Sequence, residues 1–395
     1  MRSSLARSAA LVVGLAALAL GLDDPDARGA ERPRARDLGV PFEGSPGLLN
    51  AITDVAGVEV GQVTLVSGEG KLEVGRGPVR TGVTAIHPRG RAQDDPVFAG
   101  SFALNGNGEM TGLAWLQESG FLEGPVVLTN THSVGIARDA VIAWQGRRGP
   151  GVQPWGLPVV AETWDGWLND INGFHVKDAH VFAALDSARG GAVDEGGVGG
   201  GTGMVCFEFK GGIGTASRRT EAGHGGHTVG VLVQANFGLR RQLTIAGVPV
   251  GREITEGTFR DDEAGSIIAV VATDAPLLPH QLARLARRVA MGLARTGSVS
   301  MNGSGDLFLA FSTANPGLAT AKAATAATVL PNDAMNPLFA ATVQATEEAI
   351  VNALVAGRTM EGIDGHRVLG LPHDRLREVL AKYGRLSPTA PAGPR

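Results

Sequence analysis

REITEGTFRDDEAG (252–265) runs straight into SIIAVVAT (266–273), so a charged segment punctuated by glycine gives way to an apolar, β-branched run. The second stretch has the composition of a strand buried on both faces. Gly265-Ser266 is therefore a seam, where a flexible segment ends and a buried strand begins. A serine on the first residue of such a strand, entered through a glycine, has the geometry of a residue that can become a new chain terminus. A hydroxyl is a weak nucleophile until a base takes its proton, and an amino-terminal amine can be that base, with a pKa of ~7.7. Cleavage of the Gly265–Ser266 bond would put nucleophile and base in one residue, and Gly265 has no side chain to obstruct attack on its carbonyl. Position alone leaves a second reading open, an ordinary serine at the start of a strand.

Working outward, GMVCFEFKGGIGTASRR (203–219) and HTVGVLVQANFG (227–238) read as consecutive strands before the seam. After it, PHQLARLARRVAMGLARTG (279–297) puts Leu282, Leu285, Val289 and Leu293 on one helical face, with Pro279 suited to the first turn. NGSGDLFLAFST (302–313) is a glycine turn followed by a strand, and two helices follow over 336–357 and 372–384. The earlier half reads as strands over 52–66, 82–88, 95–104, 125–132 and 157–162, with helices over 110–120, 133–149 and 176–191. This is an α+β pattern, expected as one domain over 48–386.

The ends read differently. Residues 1–22 have Arg2 and Arg7 before an apolar run of roughly 14 residues, too short to span a bilayer and suited to an export signal. A Pro-, Gly- and charge-rich linker is expected over 23–47 and a loose tail over 387–395. The mature protein is thus expected to be periplasmic or secreted. Charged residues make up 19% of the 395 and the formal net charge is −4, so no basic field exists for nucleic acid or an anionic membrane, and small molecules are the expected partners.

Competing chemistry is weaker. EGGVGGGTGM (195–204) lacks the Gly-Lys-Ser/Thr ending of a phosphate loop and the spacing of a dinucleotide fingerprint. His224 and His227 lack further ligands nearby, so no metal is expected. Cys206 reads as a small buried hydrophobe. Ser304 and Asp306 lie two apart on a turn, without a nucleophile elbow around them.

Taken together, ITDVAGVEVGQVT, LTNTHSVG, VVAETWDGWLNDINGFHV, VGGGTGM, TVGVLVQANFG, GSIIAVVATDAPLLPHQLARLARR and NGSGDLFLAFSTAN resemble the DmpA-like family of self-processing serine aminopeptidases, which includes L-aminopeptidase/D-esterases and β-aminopeptidases. The resemblance covers roughly 45–370. It implies a four-layer αββα sandwich of the Ntn-hydrolase kind, no cofactor, and two-fragment protomers assembled into homo-oligomers. It also implies hydrolysis of amino-terminal residues from short peptides, amino-acid amides or esters. By resemblance, Ser266 after Gly265 is the nucleophile, Asn236 donates to the oxyanion, Ser304 and Asp306 stand beside the new amine, and Glu162 pairs with the substrate's amino group. Where some members carry a tyrosine, this chain has Trp164, whose indole can donate but cannot exchange a proton as a phenol does. Two other functions fit the same architecture: acyl transfer of the ornithine acetyltransferase type, which uses threonine, and non-catalytic amine binding.

Overall fold

The computed structural model describes residues 33–147, 155–262 and 265–388. The first strands are β1 (Glu59–Ser67), β2 (Val79–His87), β3 (Val97–Gly106), β4 (Phe121–Leu122), β5 (Val126–Asn130) and β6 (Val159–Thr163). They are followed by β7 (Val205–Cys206), β8 (Phe209–Lys210), β9 (Gly212–Arg219), β10 (Thr228–Asn236), β11 (Ser266–Thr273) and β12 (Gly305–Ser312). The helices are α1 (Leu113–Ser119), α2 (Val134–Gly146), α3 (Asp178–Asp186), α4 (Val250–Glu253), α5 (Pro279–Arg295), α6 (Asn336–Ala356) and α7 (His373–Lys382).

A four-stranded sheet has the order β1-β2-β5-β6 and a six-stranded sheet the order β4-β3-β12-β11-β10-β9. Strand β11 shows why its sequence is apolar without alternation. Its Ile268, Val270 and Ala272 point between the sheets, against Ile86, Leu128, Ala161 and Leu309. Its Ile267, Ala269 and Val271 point the other way, against Leu282, Leu285 and Val289 of α5 and Ile350 and Leu354 of α6. On the far side, Val83, Val127 and Val160 of the smaller sheet pack against Val141 of α2 and Val181 and Leu185 of α3. Three apolar layers thus separate four structural layers, the αββα sandwich that the family resemblance implied.

Two expectations need correction. The stretch 203–219 is three short strands, because Phe207 and Glu208 adopt φ of +49° and +58° and turn the chain between β7 and β8. The Glu208 carboxylate accepts the N–H groups of Arg240, Phe259 and Arg260, and the Arg240 guanidinium bonds the carbonyls of Phe207, Glu208, Ile254 and Glu256. The segment before the seam is therefore pinned as far as Arg260.

The linker expected over 23–47 is, from Pro33 onward, part of the folded body; its earlier residues and the export signal lie outside the described residues. Arg34 pairs with Glu195 at 2.7 Å, and Ala35, Leu38 and Val40 join the core. Proline and charge suggested disorder here because their partners lie far along the chain. Arg36 binds both oxygens of buried Glu348 (2.7 and 2.8 Å), which also accepts from Arg218 and Asn50. At the other end, the Ser387 N–H bonds the Gly39 carbonyl, so the tail is tied at its first residue.

Burial disfavours the charged form of Glu348, but the bonds from Arg36 and the charge of Arg218 outweigh it and hold the carboxyl below its ordinary value. Such a group stabilises the fold at all pH values above the ordinary carboxylate range, and loses that contribution as pH falls through its lowered value. Removal of the carboxylate in Glu348→Ala strands two guanidinium groups and is expected to cost about 3–5 kcal/mol, measured by denaturant unfolding. Wild type should also lose more melting temperature than Glu348→Gln below the carboxylate range; an identical acid response would contradict this account.

Candidate active site

The site lies where the ends of both sheets meet. Across the larger sheet, Ser266 is in register with Asn236, Ile267 with Asp306, and Asp306 with Asn105. Pairing between β12 and β3 shifts between Asp306 and Leu307, a bulge that re-aims a side chain at a strand end. Two adjacent rows at one end of the sheet thus gather Asn105 and Asp306 in one and Ser266 and Asn236 in the next.

Ser266 is 7% exposed, and its Oγ accepts the Gly305 N–H at 3.0 Å. The donor stabilises negative charge on that oxygen and leaves the hydroxyl proton available. Gly265 has φ of +116°, and a Cβ there would collide with the Asn236 carbonyl. Only glycine fits the residue before the serine.

The Asn236 side chain is held at both ends. Its Oδ1 accepts the Val205 N–H at 2.7 Å and its Nδ2 donates to the Trp164 carbonyl at 2.8 Å, which fixes the amide with its donor end toward Gly265. Ser304 Oγ lies 2.9 Å from Asp306 Oδ2 and 3.0 Å from the Met301 carbonyl, and accepts from Asn105 Nδ2 at 3.1 Å. Burial holds Asp306 above its ordinary pKa, partly offset by bonds from Ser300, Ser304 and the Ile267 N–H.

Glu162 comes from the smaller sheet, in register with Thr129 of β5. It is 3% exposed, and it accepts from Thr131 Oγ1 and from the Glu109 N–H. A Cβ on Gly108 would lie 3.2 Å from Gly305 Cα and 3.3 Å from Glu162 Oε1. One glycine therefore separates the carboxylate from the residue whose N–H meets Ser266. Burial raises the Glu162 pKa, against the bonds from Thr131 and the Glu109 N–H.

Ser266, Asn236, Ser304, Asp306 and Glu162 are thus brought together from distant parts of the chain. Trp164 joins them through its main chain, while its indole, 40% exposed, lies over Gly166. The arrangement combines a hydroxyl, an amide donor and a buried carboxylate at neighbouring strand ends, the parts needed for acyl transfer from an amine-bearing substrate. Asn105, Thr131, Val205 and the Gly305 N–H were not found from sequence. The first two are polar residues at the ends of predicted strands, which is the only signal they give. His224 and His227 face different carboxylates, Glu221 and Asp274. Cys206 is fully buried.

The family model described as peptidase family S58 matches residues 50–368. The chain belongs to peptidase family S58. It is 55% identical over 378 residues to the β-peptidyl aminopeptidase BapA of Sphingosinicella microcystinivorans, covering 91% of this chain and 95% of that protein. Among solved structures, a β-aminopeptidase from Burkholderia sp. superposes with a TM-score of 0.84 at 52% identity, over 89% of this chain and 99% of the other. The L-aminopeptidase D-Ala-esterase/amidase of Ochrobactrum anthropi, described as a prototype serine aminopeptidase with a variant Ntn-hydrolase fold, superposes with a TM-score of 0.83 at 47% identity, over 90% and 100% of the two chains. This S58 protein is accordingly a hydrolase of the serine aminopeptidase class with an Ntn-type α+β sandwich. Among the described residues, no helix of the S58 enzyme is long and apolar enough to cross a membrane.

Proposed function

We propose that the chain cleaves itself between Gly265 and Ser266, and that Ser266 then hydrolyses the amino-terminal residue from short peptides, amino-acid amides or esters. The observation that carries this reading is Ser266 Oγ on the Gly305 N–H at 3.0 Å, with Asn236 in register beside it. In self-cleavage, Ser266 Oγ attacks the Gly265 carbonyl carbon and the C–N bond breaks. The acyl group passes to oxygen as an ester, the freed amine takes up the hydroxyl proton, and water opens the ester. In turnover the Ser266 amine accepts the Oγ proton, Oγ attacks the substrate carbonyl, the proton passes to the leaving group, and water releases the acyl residue. Asn236 Nδ2 donates to the oxyanion in both reactions, and Ser304 and Asp306 orient the amine. Trp164 borders the substrate. The names of the BapA and Burkholderia relatives support β-amino-acyl substrates among those accepted. The reading includes export directed by residues 1–22 and assembly of two-fragment protomers into homo-oligomers.

Purified protein is expected to give two bands on a denaturing gel, the smaller beginning at Ser266 by amino-terminal sequencing, and to turn over aminoacyl p-nitroanilides. A fully active unbroken chain would sink the reading.

Glu162 pairs with the substrate's ammonium, so it must be ionised to bind. Because burial raises its pKa, kcat/KM is expected to climb with pH through a value above the ordinary carboxylate range. Glu162→Gln should lose that limb and raise KM roughly ten- to hundredfold, the worth of one charge-assisted bond of about 1.5–3 kcal/mol. A Gln variant with unchanged KM would remove Glu162 from this role.

A further inference from the structure

Lys210 is the last residue of β8 and is fully buried. Its Nζ donates to the carbonyls of Met204 (2.8 Å), Gly211 (2.8 Å) and Gly201 (3.2 Å). An ammonium carries three N–H donors and no acceptor, so three carbonyls satisfy it completely. Burial pushes the Lys210 pKa down to about 7 while the three carbonyls favour the charged form, so an ammonium is a costly way to tie a loop here, and its position relative to the site suggests a use. The Met204 carbonyl and the Val205 N–H belong to one planar peptide unit, and that N–H is the group that binds Asn236 Oδ1 at 2.7 Å. A continuous path therefore runs from the Lys210 ammonium to the Met204 carbonyl, through the peptide to the Val205 N–H, and through the Asn236 amide to Nδ2.

We propose that Lys210 is a positioning residue for Asn236, acting through the Met204–Val205 peptide. Its ammonium fixes the plane of that peptide and polarises it, so that the Val205 N–H becomes a stronger donor to Asn236 Oδ1. Asn236 Nδ2 in turn becomes a stronger donor to developing negative charge, since linked hydrogen bonds reinforce one another. Without the ammonium, the Met204 carbonyl keeps only the Gly211 N–H at 3.0 Å and loses its charged partner, so the peptide is less polarised and its plane is held less firmly against Asn236. The glycines are required there by packing: a Cβ on Gly200 or Gly201 would collide with Gln234 Oε1 or the Ile213 nitrogen. The tract that resembled a phosphate loop in composition is thus folded around a lysine of its own chain.

The inference rests on Asn236 being the oxyanion donor, and a double-mutant cycle separates the two claims. For wild type, Lys210→Met, Asn236→Ala and the double variant, kcat and KM are measured on an aminoacyl p-nitroanilide; for any variant that stays a single chain, the self-cleavage rate is measured instead. Lys210→Met is expected to lower the rate roughly tenfold or more, less than the ~10²–10³ of losing the donor itself, with KM within twofold. In the Asn236→Ala background the same substitution should change the rate by less than twofold. Independent, multiplying losses overturn the positioning role while leaving Asn236 as donor; an Asn236→Ala variant with wild-type rate overturns both. Lys210→Ala supplies a second readout, because its vacated carbonyl cage can be refilled by ammonium or methylammonium. Either cation at tens of millimolar is expected to raise the rate of Lys210→Ala at least fivefold and leave wild type unchanged. A variant indifferent to both cations overturns the proposal.

Discussion

Ser266→Ala is expected to remain a single chain and to lose aminopeptidase turnover by roughly 10⁴-fold or more, the scale on which removal of a nucleophile acts. Both losses follow from one atom, because the oxygen proposed to attack the Gly265 carbonyl is the oxygen proposed to attack substrate. The fold should survive. Alanine keeps the Cβ at the start of β11, and the neutral bond from the Gly305 N–H contributes only about 1 kcal/mol. A denaturing gel, intact mass and a melting curve together separate loss of chemistry from loss of structure. Two fragments appearing from Ser266→Ala at the wild-type rate would show that another group cuts the chain.

Asn236 carries the second large effect. Asn236→Ala is expected to lower kcat by ~10²–10³ with little change in KM, as removal of one oxyanion donor does, and to slow self-cleavage in parallel. Asn236→Asp is the sharper variant. It keeps the oxygen that accepts the Val205 N–H but sets a carboxylate oxygen against the Trp164 carbonyl that Nδ2 serves at 2.8 Å, so a melting curve is measured beside the rates. It replaces the donor facing Gly265 with a carboxylate oxygen that repels negative charge. An Asp variant as slow as the Ala variant assigns the effect to the lost N–H donor, whereas near-wild-type activity would reduce Asn236 to a packing role.

Sequence reading went furthest where local pattern and tertiary environment agree. The run 266–273 reads as a doubly buried strand, and β11 is packed between α5 on one face and the smaller sheet on the other. The helical face of Leu282, Leu285, Val289 and Leu293 is the buried face of α5. Reading failed where a residue's partner lies far along the chain. Arg36 reads as part of a charged linker until Glu348, more than three hundred residues later, is seen to neutralise it. Glu208 reads as one residue of a strand until its carboxylate is found collecting the N–H groups of Phe259 and Arg260.

By itself the sequence determined most of the strands and helices, the start of a buried strand at Ser266 and, through its resemblance, the layered fold and the family to which the chain belongs. Apolar periodicity and turn chemistry are local, and a linear reading recovers them. Only the tertiary structure decided that Ser266 Oγ meets the Gly305 N–H, that one glycine separates Gly305 from Glu162, and that a buried lysine stands behind Asn236. Those are contacts between chain segments whose spacing in sequence carries no trace of their spacing in the fold. They arise from strand register and close backbone approach, and both are set by packing the two sheets against each other.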